Sequence, residues 1–175
     1  MISRSSRSSS SNAECVRASH AGATPPAHDV ADLRRFLADT WWVSRVLVDQ
    51  AKGARGTFLG RAAFDPDGDD LAYREIGTMV FGGYRGPGHR TYRYRFPSPG
   101  RAAVSFDDGR PFHDLDLSDG TWRADHLCGA DCYQGRFAAV SPDAWLAEWR
   151  VTGPRKDLVI TGRYLRWPAG CGRDL

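Results

Sequence analysis

The stretch Ala62-Ala63-Phe64-Asp65-Pro66-Asp67-Gly68-Asp69-Asp70-Leu71-Ala72-Tyr73-Arg74-Glu75 holds two extended segments around one tight turn. Proline fixes φ early in a turn and glycine takes the positive φ that other residues avoid, so Asp65-Pro66-Asp67-Gly68 reverses the chain. Before the turn, residues 57–64 alternate, with Phe58, Gly60, Ala62 and Phe64 in one register. After it, residues 71–80 alternate through Leu71, Tyr73, Glu75, Gly77 and Met79. Successive side chains of a strand point to opposite faces, so the two segments read as an antiparallel hairpin with one mostly apolar face.

The same pattern recurs on both sides. Alternating segments lie at 41–48, 90–96, 102–106, 111–117, 121–128, 132–140, 145–151 and 158–166. Gly82-Gly83, Ser98-Pro99-Gly100, Asp107-Asp108-Gly109, Ser118-Asp119-Gly120 and Gly153-Pro154 separate most of them. Links this short favour antiparallel neighbours, because a parallel crossover needs about a dozen residues. Asp29 is suited to cap one short helix through Ala38, with Val30, Leu33, Phe36 and Leu37 on its apolar face. Ser141-Pro142-Asp143 offers one further helical turn. The expectation is an all-β protein: an antiparallel up-and-down barrel of about ten strands over residues 29–167, with one short N-terminal helix. An open sandwich is the alternative fold. Residues 1–28 are Ser-rich and 168–175 short, and both read as tails.

Composition limits the function classes. The chain has 175 residues, enough for one domain, and is 41% hydrophobic and 26% charged, as globular chains are. No run approaches the ~20 apolar residues of a membrane helix, so no membrane role is expected. The formal charge is +3, but Arg4, Arg7 and Arg17 stand against only Glu14 before residue 29, so the remainder is near neutral. Without a clustered basic face, nucleic acid is not an expected partner. The opening residues lack the apolar core of a secretory signal, so a cytoplasmic protein with free thiols is expected at Cys15, Cys128, Cys132 and Cys171. An exposed edge strand would let two copies pair as a homodimer.

The apolar registers carry polar residues inward. Arg45, Tyr73, Glu75, Tyr92, Tyr94, His113, His126, Cys128, Tyr133, Trp149, Tyr164 and Arg166 all fall on core-facing positions. Burying an unpaired ionised group costs several kcal/mol, so a solid core would rarely hold this set. A barrel of eight or more strands leaves room for a central cavity that such groups could line. Glu75, His113 and His126 are the candidate catalytic groups, the imidazoles as proton carriers and Glu75 as their carboxylate partner. Arg45, Tyr73, Tyr92, Tyr94, Cys128, Tyr133, Trp149, Tyr164 and Arg166 are the candidate ligand-binding residues. Arg45 or Arg166 would neutralise Glu75 or a ligand carboxylate.

Four local constellations qualify this reading. Trp41 and Arg45 stand just after the short helix, and ring burial with cation–π contact explains them without function. Phe106-Asp107-Asp108-Gly109-Arg110-Pro111-Phe112-His113 contains a turn followed by an inward histidine. His126, Cys128, Asp131 and Cys132 lie within seven residues, but no Cys-x-x-Cys pair or second cluster completes a zinc shell, so no metal or cofactor is expected. A Cys128 nucleophile with His126 or His113 as base is the minor reading there. Gly153-Pro154-Arg155-Lys156 places two cations on a rim, suited either to solvent or to an anionic group.

Two resemblances rest on these motifs. Thr40-Trp41-Trp42-Val43-Ser44-Arg45 resembles the opening of lipocalin-type barrels, in which the Trp plugs the closed end and an Arg caps it; Asp39-Thr40 replaces the usual preceding glycine. Together with the Phe106–His113, His126–Tyr133 and Trp149–Asp157 motifs, the chain resembles a domain-of-unknown-function family over roughly residues 33–167. That resemblance implies a calycin-like barrel and no activity. The expected function is therefore small-molecule binding in a polar-lined interior. The first alternative is a cofactor-free acid–base enzyme (isomerase, cyclase, dehydratase or hydrolase type) on a partly aromatic or carboxylated substrate. The second is haem or metal binding through His113 or His126.

Overall fold

The computed structural model describes residues 27–168. One helix, α1 (Leu33–Leu37), precedes ten strands: β1 (Thr40–Asp49), β2 (Ala54–Asp67), β3 (Asp70–Phe81), β4 (Tyr84–Ser98), β5 (Arg101–Ser105), β6 (Pro111–Asp116), β7 (Thr121–Cys128), β8 (Asp131–Ser141), β9 (Ala144–Gly153) and β10 (Lys156–Arg166). All ladders are antiparallel and the sheet order is β6-β5-β4-β3-β2-β1-β10-β9-β8-β7. The first and last strands pair over nine positions, from Trp41 opposite Arg166 to Asp49 opposite Leu158. The sheet curls until β6 and β7 come together, and no backbone ladder joins them. Instead, the Trp122 indole N–H donates to the Asp114 carbonyl across the gap at 3.1 Å. The fold is an all-β, up-and-down, nearly closed barrel.

Several local expectations need correction. The helix is one short turn, capped by Asp32, whose carboxylate accepts from the Arg35 N–H, and not by Asp29. Ser141-Pro142-Asp143 forms the β8–β9 turn and has no helical residue. Strand β4 runs through Gly86-Pro87-Gly88, a stretch that reads as a break. Pro87 is tolerated because β5 pairs only from Arg93 onward, so no ladder needs its missing N–H on that side. Cys132 is disulfide-bonded, against the expectation of free thiols, whereas Cys128 is free and exposed. The expected tails, with Cys15 and Cys171, lie outside the described residues except for 27, 28 and 168.

One end of the barrel is shut. Trp41, fully buried, donates its indole N–H to the Leu37 carbonyl at 2.9 Å and so ties α1 beneath the strands. The Arg166 guanidinium lies 4.4 Å from the centre of the Trp41 ring. Arg166 also bonds to Asp39 (3.1 Å), Asp143 (2.8 Å) and the carbonyls of Phe36 and Pro142. Leu33, Leu37, Leu71, Leu115 and Leu117 fill the space between.

Candidate functional site

Inward-facing side chains differ sharply along the barrel axis. Near the plugged end Trp41, Val43, Ala62, Phe64, Leu71, Tyr94, Ala102 and Trp145 are buried. Toward the other end, the inward residues Met79, Phe81, Arg90, Tyr92, Phe112, His126, Tyr133, Trp149, Leu158 and Ile160 are only half-buried, while Leu47, Asp49 and Val151 beside them stay buried. The inward side chains are thus packed as a core at the plugged end and covered less evenly toward the other.

A buried ionic knot separates the two. Arg45 on β1 sends both terminal nitrogens to the two Glu75 oxygens on β3, and one of them also donates to the Tyr164 hydroxyl on β10. The Tyr73 hydroxyl donates to Glu75. Arg45 and Glu75 are 6% and 4% exposed, so water contributes little to their solvation. The Arg45 guanidinium is flanked by the rings of Phe58 and Tyr164, 5.2 and 5.4 Å away. Gly162 opens room for its stem, since a Cβ there would lie 3.3 Å from the Arg45 Cγ. Burial pushes the Glu75 carboxyl up, but the hydrogen bonds and charge of Arg45, with Arg90 and Tyr73, outweigh it and hold it below the usual carboxylate range. Burial drives the Tyr73 and Tyr94 hydroxyls well above theirs.

The inward face toward the end opposite the plug is aromatic. A stack runs from Tyr73 to Tyr92 (5.8 Å, 23°), Phe112 (5.3 Å, 23°) and Trp149 (5.1 Å, 17°). Phe112 joins it because of a bulge: Val104 pairs with His113 and Ser105 with Pro111, leaving Phe112 as an extra residue. A bulge re-aims side chains locally, so both Phe112 and His113 meet Trp149. Gly135 seats the indole, for a Cβ there would come within 2.9 Å of Trp149.

The two histidines are not equivalent. His113 stacks on Phe137 (5.2 Å, 20°), and its Nδ1 lies 2.8 Å from the Asp114 carbonyl. A carbonyl only accepts, so Nδ1 carries the proton. Burial lowers the His113 pKa to about 4, and the ring is neutral near pH 7. His126 is half-buried, 5.1 Å from the Phe112 ring and 5.9 Å from Tyr133.

Of the sequence-derived candidates, the structure brings Arg45, Tyr73, Glu75 and Tyr164 into one network and His113, His126, Tyr92, Tyr133 and Trp149 into a separate aromatic wall. Glu75 is held by Arg45 and Tyr73, so its expected pairing with a histidine is corrected. Arg166 caps Trp41 at the shut end and pairs with Asp39 and Asp143, not with Glu75, which corrects its expected role as a neutraliser; it also fills the capping role that Arg45 does not. Tyr94 is buried beside Phe64 (5.1 Å). Cys128 stands exposed at the end of β7, and Lys156 at the rim is paired with Asp131. Among the described residues no group of three His, Cys, Asp or Glu side chains is arranged to hold a metal ion, and no helix is long and apolar enough to cross a membrane.

The sequence reading missed Arg90 and Phe112. Arg90 lies directly opposite Glu75 in the β3–β4 ladder. It shares the register of Tyr92 and Tyr94 but opens the segment 90–96, where alternation has no earlier residue to anchor it. Phe112 obeys no alternation at all. A further concavity of about 1180 Å³ lies on the outer face, lined by Trp42, Leu59, Arg61, Ile76, Arg163 and Trp167 among others. It follows from the glycine row Gly60–Gly77–Gly88, where the sheet bends over the Phe58 ring.

The fold and the shut end define the class: an antiparallel calycin-like barrel with one plugged end. Within that class, residues 37–166 match the model of a family of unknown function, DUF6314, and the chain belongs to that family. No curated protein matches the sequence. Among solved structures, the chain is similar to an S-type phycobiliprotein lyase from Guillardia theta (7% identity, TM-score 0.56, covering 78% of this chain and 91% of that one). It is also similar to a protein of unknown function from the DUF3598 family of Nostoc punctiforme (12% identity, TM-score 0.57, covering 83% of this chain and 53% of that one). At these identities the likeness is one of fold.

Proposed function

We propose that this chain is a small-molecule-binding protein whose ligand occupies the open half of the barrel. The gradient of exposure along the inward faces carries this reading. In this reading the side chains that are closed over at Trp41 and half-open at Tyr92, Trp149 and Ile160 border a cup, concave and mostly aromatic with a few polar groups, the usual make-up of a ligand site. The barrel likeness to the phycobiliprotein lyase supports the scaffold and not the ligand. Acid–base catalysis has less support, because Glu75 is committed to Arg45 and the neutral His113 donates its only N–H to a carbonyl.

The test is a titration with N-phenyl-1-naphthylamine, a neutral dye that fluoresces in apolar sites. Binding to the wild type, lost in Ile160→Trp with its circular dichroism unchanged, is the expected result. A folded wild type that leaves the dye dark overturns the proposal.

A further inference from the structure

We propose that the cup selects ligands that join a flat aromatic body to an anionic group, with the anion seated on Arg90; this rests on the cup being the binding site. Around the ionic knot three ionised side chains face inward, Arg45, Glu75 and Arg90; Asp49, the other buried acid of the β1 inward register, lies further along and is engaged by the Lys52 N–H and ammonium. Glu75 receives two donors from Arg45 and one from Tyr73, so the knot's single negative charge is already engaged. Arg90 is its cross-strand neighbour, yet makes no salt bridge with any described acid. Of the two cations at the knot, Arg90 is therefore the one that no carboxylate pairs.

A half-buried guanidinium without a counter-ion is costly, and an incoming carboxylate, sulfonate or phosphate relieves that cost through paired, charge-assisted hydrogen bonds. Arg90 lies at the edge of the aromatic wall, with its guanidinium carbon 5.9 Å from the centre of the Tyr92 ring. Tyr92, Phe112 and Trp149 are stacked nearly parallel, at 23° and 17°, so they would align a planar ring packed against them. A planar ring laid against them brings a substituent at its edge to Arg90. Of the two rim cations, Lys156 is paired with Asp131 and Arg155 stands exposed in the β9–β10 turn, where water already solvates it.

The experiment compares two dyes that share a ring system, 1-anilinonaphthalene-8-sulfonate and N-phenyl-1-naphthylamine, by fluorescence titration. The wild type should bind the sulfonate at least tenfold tighter. Arg90→Gln should abolish that preference while changing the neutral dye less than twofold, and Arg90→Lys should restore part of it. If the neutral dye binds the wild type and the sulfonate has no advantage, or keeps its advantage in Arg90→Gln, the Arg90 assignment falls and the cup survives. If neither dye binds, the cup itself falls. Should Arg90→Gln not fold, the wild-type preference still decides: displacement of the neutral dye by 1-naphthoate but not by naphthalene upholds the proposal, and equal displacement overturns it.

Discussion

Glu75→Gln removes one member of a buried ion pair and leaves Arg45 charged in a place water barely reaches. Breaking such a pair from one side costs about 3–5 kcal/mol, so the urea midpoint of this variant should fall strongly. The double variant Arg45→Met/Glu75→Leu removes both charges and should recover most of the loss; if it stays as unstable as the single variant, packing and not charge sets the cost. His113 gives a pH signature of its own. Its pKa falls from 6.5 unfolded to about 4 folded, so between those values the unfolded chain binds more protons and stability rises with pH. Its contribution, on the order of 3 kcal/mol, is complete above pH 6.5 and is lost as pH drops through 4. In His113→Phe that part of the acid slope should vanish from denaturation curves recorded between pH 4 and 7. Glu75, held low, adds a loss of the same sign at lower pH.

Single residues also show what the sequence could and could not disclose. Alternation turned Tyr73, Glu75 and Tyr164 inward, and the structure agrees. It could not choose partners, because Arg45 reaches Glu75 across β2, a neighbour relation that depends on which strands lie side by side. Arg90 was legible in principle through its register with Tyr92.

At the level of elements, most turns were read well because glycine takes its positive φ locally, but Asp65-Pro66-Asp67 belongs to β2, paired with Asp70–Ala72, and the reversal falls at Gly68-Asp69. Gly120 has φ +70°, and a Cβ there would sit 2.8 Å from both Ala27 and the His28 carbonyl. That contact holds the entering chain beneath the barrel, where the His28 N–H donates to Ala139 and the Val30 N–H to Leu117. Gly120→Ala should therefore lower stability by about 1–3 kcal/mol, read as a lower Tm, whereas alanine at Gly68, whose added Cβ meets nothing within 4 Å, should cost only its backbone strain of about 1 kcal/mol. Elements defined by long-range partners were harder. Strand β4 continues through Pro87 because β3 pairs with it, and the Phe112 bulge arises from the register between β5 and β6. No local pattern announces either.

For the whole molecule, the barrel follows from ten short antiparallel strands, and closure through β1 and β10 ties the two ends of the domain to each other. Amide exchange should be slowest in β1, β2 and β10, each bonded on both sides, and fastest in the free-edge amides of β6 and β7. Uniform protection around the ring would mean that a backbone ladder does join those two strands in solution.

The break in the ring falls between strands that are consecutive in the chain and linked by four residues, Leu117 to Gly120. Sliding one past the other there disturbs a single indole bond and some side-chain packing, while every ladder stays whole. The molecule's girth is thus adjustable at one place, in the manner of a belt with its buckle beside the His113 and Trp149 rings, and a bulkier guest could be accommodated without unwinding the weave.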